Sequence, residues 1–326
     1  MDILLDDNKC FYKAQLHCHS LNSDGKISVE EQKVLFKQKG YAVVAFTDHE
    51  HLVDNSHLDD ENFLTITSCE LAIKEDALKS TLKDRNMKAI HLNLYALDQH
   101  NVVTPCYNSI YDHYTNDYVR SITKFEGEYE REFSAKGIND IVRIAKEKGF
   151  LVSYNHPNWS LDDAAGYLQY EGLDFVEVYN HSCTMSGEDS YIIKAFDDFL
   201  RAGKKIYATM CDDSHKLERM FGAWVMINAD RLDYNTIMGA LQKGDFYSSN
   251  GPEIYSLTRD GNTIFVKTSP AKRIALSTRG RRCDVRWGDG VTEATFELQP
   301  SDGYFRITVD DIYGNHAHSQ AYEVIN

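Results

Sequence analysis

The sequence predicts an α/β protein with a large unit over residues 1–250 and a smaller all-β unit over residues 251–326. Short β-branched or aromatic runs alternate with stretches of helical period from residue 11 to about 247. After "FYSSNGPEI" the helical stretches stop and short alternating runs take over, separated by Gly, Asp and Asn turns. A chain of 326 residues has room for both units.

Seven strands follow from the first pattern: "FYKAQLHCH", "YAVVAFTDH", "FLTITSCEL", "KAIHLNLYAL", "FLVSYNHP", "DFVEVYN" and "KKIYATMCDDSH". Alternation with helices favours a parallel sheet with crossovers. Ser28 and Glu31 form a capping box ahead of Val34, Leu35 and Phe36, and Gly40 supplies the stop. "DIVRIAKEKG" and "YIIKAFDDFLRAG" repeat that format. Residues 98–135 interrupt it with a Tyr-rich, charged insertion that reads as too polar for core, either a lid or a solvated excursion. In the tail, "TIFVKT", "ATFELQ", "YFRITVDD" and "QAYEVIN" read as strands.

Composition narrows the function. With 35 basic and 50 acidic residues the net charge is −15, so broad tracking of nucleic-acid phosphates is not expected. "MDILLDDNKCF" lacks the basic start and apolar core of a secretory signal, and no stretch approaches the roughly 20 apolar residues of a membrane helix. Seven scattered cysteines show no disulfide rhythm, which suits a cytoplasmic setting.

Nearly every strand ends in a group able to bind metal. The first ends in His17 and His19, the second in Asp48 and His49, and the third in Glu70. The fourth carries His91, the fifth ends in His156, and the seventh runs out through Asp213 and His215. Side chains alternate along a strand, so His17 and His19 share a face, as do Asp213 and His215. Asp24 follows in "NSDG", a turn that returns a carboxylate toward the strand end. One HxH pair occurs by chance, but the joint set is another matter. Glu70, Asp213 and Asp24 crowded together call for protonation or a counter-ion, and metal ions remove that objection. Histidine and carboxylate donors suit Zn, Mn or Fe, and the absence of paired thiolates argues against a structural zinc. Cys211 lies on the Asp213 face and is expected to pack below the site. His51, His57, His100, His113, His181, His316 and His318 lack comparable company and read as surface or structural, His51 being the nearest to the site.

With these residues in place, the chain resembles the polymerase and histidinol phosphatase (PHP) family of metal-dependent phosphoesterases. The text that carries the resemblance is "LHCHSLNSDG", "FTDHE", "CEL", "IHLNLYAL", "SYNHPNW", "VEVYN" and "CDDSH", over about residues 11 to 250. It implies a distorted (β/α)7 barrel holding two or three divalent ions. By motif, His17, His19, Glu70 and Asp213 would hold the first, and Glu70 would bridge to a second held with His91 and His156. Asp24, His49 and His215 would hold a third, whose occupancy depends on an aspartate where many members have histidine. Asp48 would orient a ligand, and Glu177 and Asn180 would line the pocket. The implied reaction is attack of a metal-bound hydroxide on phosphorus, with His49 or Asp24 as the catalytic acid. Candidate phosphate contacts just beyond the motifs are Asn158, Ser214, Lys216 and Arg219.

A barrel followed by a β tail resembles the stand-alone bacterial phosphoesterase type. The expected partner is a small phosphomonoester of nucleotide or sugar type, with no membrane. Two alternatives stand beside it: cleavage of a carboxylic ester, carbamate or amide by the same ions, and a non-catalytic binding module. Dimerisation, covering of the site and glycan binding all fit the tail.

Overall fold

The computed structural model describes residues 1–76 and 86–324. Its strands are β1 (Asp2–Leu5), β2 (Cys10–Cys18), β3 (Tyr41–Phe46), β4 (Leu64–Lys74), β5 (Ala89–Ala96), β6 (Val103–Thr104), β7 (Lys124–Phe125), β8 (Phe150–Tyr154), β9 (Phe175–Asn180), β10 (Tyr207–Cys211), β11 (Trp224–Ala229) and β12 (Phe246–Ser249). The tail adds β13 (Ile254–Asp260), β14 (Thr263–Thr278), β15 (Cys283–Glu297), β16 (Tyr304–Asp310), β17 (His316–Ser319) and β18 (Tyr322–Glu323). Helices are α1 (Val29–Gln38), α2 (Asp117–Ile122), α3 (Ala135–Glu147), α4 (Ala164–Tyr167), α5 (His181–Met185), α6 (Ile193–Arg201) and α7 (Tyr234–Lys243). The last two residues of "QAYEVIN" lie outside the described residues.

The seven expected strands are β2, β3, β4, β5, β8, β9 and β10, and they lie side by side in that order. Their directions are mixed, which departs from the parallel expectation. β2–β3–β4 and β8–β9–β10 are parallel runs, but β5 is antiparallel to both β4 and β8. The helices are also fewer: only a 3-10 turn (Ser56–Leu58) separates β3 from β4. The two ends of the seven-strand run meet beyond β10, where Asp213 N–H donates to His17 O (2.8 Å) and His19 N–H to Ser214 O (2.9 Å). Strand ends thereby converge around one spot.

Local chemistry accounts for the elements that frame it. Ser28 caps α1 by accepting from Glu31 N–H, while Glu31 returns to the Ser28 N–H, as the capping box requires. α3 and α6 lay Ile138, Ile141, Val142, Phe196 and Phe199 on the sheet, in one core with Leu92, Val152 and Val178. A second core on the other side of the strands joins Leu16, Val43 and Phe175 to Ile237 and Leu241 of α7.

The tail strands continue the same sheet through β11–β12–β17–β16–β14–β13, around a core of Ile254, Leu257, Ile274, Phe296 and Ile307. β1 pairs with β13 and sends Leu5 into that core, so the first strand of the chain packs with the tail. Among the described residues no helix is long and apolar enough to cross a membrane. All seven cysteines are unpaired.

Candidate metal centre

Glu70, near the middle of β4, is the hub. Its Oε1 lies 3.2 Å from His17 Nε2, 3.2 Å from His91 Nδ1 and 3.4 Å from His156 Nε2. Its Oε2 lies 3.5 Å from His19 Nε2 and 3.2 Å from His49 Nδ1. Asp213 Oδ1 stands 3.3 Å from His17 Nε2 and 3.1 Å from His19 Nε2. Asp24 Oδ1 gathers His19 Nδ1 (3.8 Å), His49 Nε2 (3.6 Å) and His215 Nε2 (3.3 Å).

Three ligand-sized groups result: His17 with Glu70 and His156, His17 with His19 and Asp213, and His19 with Asp24, His49 and His215. All nine sequence-predicted donors are thus brought together. The partition differs slightly from the implied one, because His17 and His19 are each shared between groups and His91 joins through Glu70 alone.

The local backbone explains how residues beyond the strands reach the cluster. β8 ends at Tyr154 and β10 at Cys211, so His156 and Asp213 are not strand residues. Both adopt positive φ, +28° and +52°, a region unfavourable to L side chains, and this turns them back over the strand ends. Alternation along β10 therefore does not place Asp213 beside His215. Asp212 does point away, accepting the Phe221, Gly222 and Ala223 N–H groups, and burial raises its pKa to about 7 despite them. The Asp24 turn is clamped from below. Asp48 accepts from Ser20 N–H, Ser20 Oγ and Ser23 Oγ, so it holds the turn and not a ligand histidine, the role expected of it. A Cβ on Gly25 would fall 2.5 Å from the His19 carbonyl, so only glycine lets the turn sit this close.

The charge pattern is that of a site built for cations. Burial opposes a charged His17, yet Asp213, Glu70 and Glu177 outweigh it and raise its pKa well above the usual value. Burial alone would raise the Glu70 carboxyl, but His91, His17 and His156 hold it well below the carboxylate range. Asp213 and Asp24 are lowered against burial by their histidine neighbours in the same way. His49 falls to about 3 through burial and the nearby His19, whereas Asp24 and Asp213 lift His215 to about 9 against burial.

The donor set leaves several buried atoms unused. His17 Nε2, both nitrogens of His19, His156 Nδ1 and Asp24 Oδ1 are buried without a hydrogen bond of acceptable geometry. Buried polar atoms without partners are costly, and those of His17, His19 and Asp24 face the shared carboxylates and rings of the cluster, while His156 turns its other nitrogen, Nε2, toward Glu70. Divalent ions fit that arrangement. Supporting contacts fix the rings: Glu177 Oε1 meets His17 Nδ1 at 3.0 Å and Asn155 Nδ2 donates to Glu70 Oε1 at 2.8 Å. Asn180 Nδ2 donates to both Glu177 and Asp213, which seats it and Glu177 in the pocket wall.

Not every predicted contact points into this centre. The Arg219 guanidinium is occupied by Ser182 O and Ser186 Oγ, where it fastens Leu217–Arg219 to α5. Lys216 and Asn158 are exposed. Ser214 is buried and its hydroxyl has no hydrogen-bond partner. Cys211 packs with Ala14, Leu16 and Val225, and burial pushes its thiol up, as expected of a core cysteine. His51 is held by Asp112 (2.9 Å) and Thr123 (2.6 Å) and stays outside the cluster.

Sequence reasoning missed the rim. Trp159 places its ring 4.8 Å from both His91 and His156, and Tyr114 stands 5.4 Å from His49. Trp159 belongs to the "SYNHPNW" stretch and was in view, but Tyr114 had no positional signal. It comes from the 98–135 insertion, which is less solvated than its composition suggests. Tyr107, Tyr111, Val119 and Arg131 are buried, and Asn116 N–H and side chain reach Asn22 O and Leu21 O beside the Asp24 turn. Arg131 grips Glu50 with two nitrogens, at 2.9 and 2.5 Å, in a wholly buried pair.

No protein-family model matches the chain, and no curated protein matches it. Among solved structures it is similar to a two-domain protein from Bacteroides vulgatus containing a predicted PHP-like metal-dependent phosphoesterase, at 14% identity and TM-score 0.47, covering 99% of this chain and 98% of that one. It is similar over 62% of its length to 87% of a proposed metal-dependent phosphoesterase from Bifidobacterium adolescentis, at 15% identity and TM-score 0.35. The same shares hold for an amidohydrolase from Chromobacterium violaceum solved with sulfate and no metal, at 14% identity and TM-score 0.36. At this distance the functional reading rests on the residues themselves.

Proposed function

We propose that the chain is a metal-dependent hydrolase of small phosphomonoesters. The observation that carries this is Glu70, whose two oxygens each serve a different set of histidine nitrogens, with Asp213 and Asp24 closing the remaining sides. His17, His19, Glu70 and Asp213 would hold one ion, Glu70, His91 and His156 a second, and Asp24, His49 and His215 a third. Zn, Mn or Fe would supply Lewis acidity and an activated water in such a site. Meeting of the β2 and β10 ends supports a distorted seven-stranded barrel as the frame.

The chain's own residues do the rest. Glu177 orients the His17 ring through Nδ1, and Asn155 and Asn180 fix the carboxylates of Glu70 and Asp213. Trp159 and Tyr114 wall the mouth and limit water. Asp24 or His49, on the more open side, would be the acid toward a leaving alkoxide, and because both rest deprotonated that role would require it first to take up a proton, from the attacking water.

Elemental analysis of purified protein followed by a phosphate-ester panel with and without Mn tests this. Two or more ions per chain with metal-stimulated phosphate release is the expected result. Metal without phosphatase activity, and turnover of an ester, carbamate or amide instead, would move the assignment to that class.

A further inference from the structure

We propose that Lys74 is the residue that receives an anionic oxygen of the substrate, an inference that rests on the phosphoester reading above. Lys74 ends β4, the strand that carries Glu70, and residues four apart on a strand face the same way. In the antiparallel register with β5, Ala72 stands opposite His91 and Lys74 opposite Ala89. Lys74 is therefore the diagonal neighbour of His91 on the face that holds the cluster.

The surroundings of Lys74 leave its charge uncompensated. It is half-buried, its Nζ lies 5.9 Å from the centre of the Tyr111 ring, and burial lowers its pKa. Glu50 is the carboxylate that acts on it, but both Glu50 oxygens are bound by Arg131. Among the described residues no carboxylate forms an ion pair with Lys74. Of the two cations just beyond the last metal motif, Arg219 is occupied on α5 and Lys216 is exposed. An ammonium partly withdrawn from water and lacking an anion costs free energy, and an incoming phosphate oxygen removes that cost. A lysine offers one flexible point charge, which suits a single oxygen beside an ion cluster better than a bidentate grip.

The test uses the metal-loaded full chain as wild type, Lys74→Met and Lys74→Arg. The methionine keeps the aliphatic stem against Tyr111 and removes the charge. Inorganic orthophosphate is titrated by calorimetry and as a competitive inhibitor, with elemental analysis of each protein. Lys74→Met is expected to bind orthophosphate about tenfold or more weakly, Lys74→Arg within about threefold of wild type, and all three to hold the same metal. Equal orthophosphate affinity in Lys74→Met and wild type overturns the inference and leaves the phosphoester reading standing. Loss of metal from Lys74→Met also overturns it, since the residue would then act through the cluster. A wild type that neither binds orthophosphate nor hydrolyses any phosphate ester removes both.

Discussion

Of the chain's three His-x-His pairs, the first and the last have opposite fates. His17 and His19, at the end of β2, meet Glu70, Asp213 and Asp24, and three of their four nitrogens are left without a hydrogen bond. His316 and His318, on β17, meet no such group of carboxylates. His318 Nε2 pairs with Tyr191 OH (2.7 Å) and its Nδ1 with Thr308 Oγ1 (3.0 Å), while His316 Nδ1 pairs with Asp310 (2.7 Å) and its ring stacks on Tyr191. The titration shifts follow the company. Carboxylates raise His17 well above its usual pKa against burial, whereas burial and Arg306 push His318 well below. Spacing alone does not make a ligand pair; converging carboxylates and unused nitrogens do.

Removing the carboxylate hub breaks this contrast most severely. Glu70→Ala is expected to lose most bound metal and about 10³-fold or more in phosphate release, since oxygens serving two histidine sets disappear together. Elemental analysis beside a turnover assay measures both. Asp24→Ala should lose less, a single ion's worth, because Asp24 serves the more exposed group alone. Equal metal loss in the two variants would show that Glu70 does not bridge.

Much of this centre was legible because its donors sit at strand ends, where alternation and the α/β frame fix their side. His17, His91 and Glu70, which lie within their strands, follow from that rule, and His19 stands one residue past β2. The turn-borne donors were legible by type but not by geometry: positive φ, not strand alternation, places His156 and Asp213. Asp48 was misassigned because its partners, Ser20 and Ser23, act through a turn whose path a strand pattern does not specify. The reversed β5 escaped notice because an apolar run has the same composition in either direction. The burial of Arg131 was hidden because an ion pair across 81 positions leaves no periodic trace.

A smaller effect tests the tail pair. His318→Leu should leave metal content unchanged and lower stability by about 1–3 kcal/mol, since Tyr191 OH and Thr308 Oγ1 lose their buried partner. Urea unfolding at fixed metal content measures it. Metal loss in this variant would mean that the first and last His-x-His pairs are not separate in kind.

The least of these effects is a difference in pH dependence. The His318 ring is buried and faces Tyr191, Thr308, Arg306 and Arg273, with His316 beside it, and burial first and then the positive charges keep its pKa well below 6.5. The unfolded chain binds a proton at this residue below about 6.5, and the native state does not. Its contribution to stability is therefore present above that pH and is lost as the pH falls. Between pH 7.5 and 5.5 the wild type should lose about 1.4 kcal/mol more than His318→Gln, in which nothing titrates at that position. The shifts of His17, Glu70 and Asp213 belong to both proteins and cancel in the comparison. Parallel loss in the two would mean that His318 takes up a proton in the folded protein, and the contrast between the two histidine pairs would then rest on their partners alone.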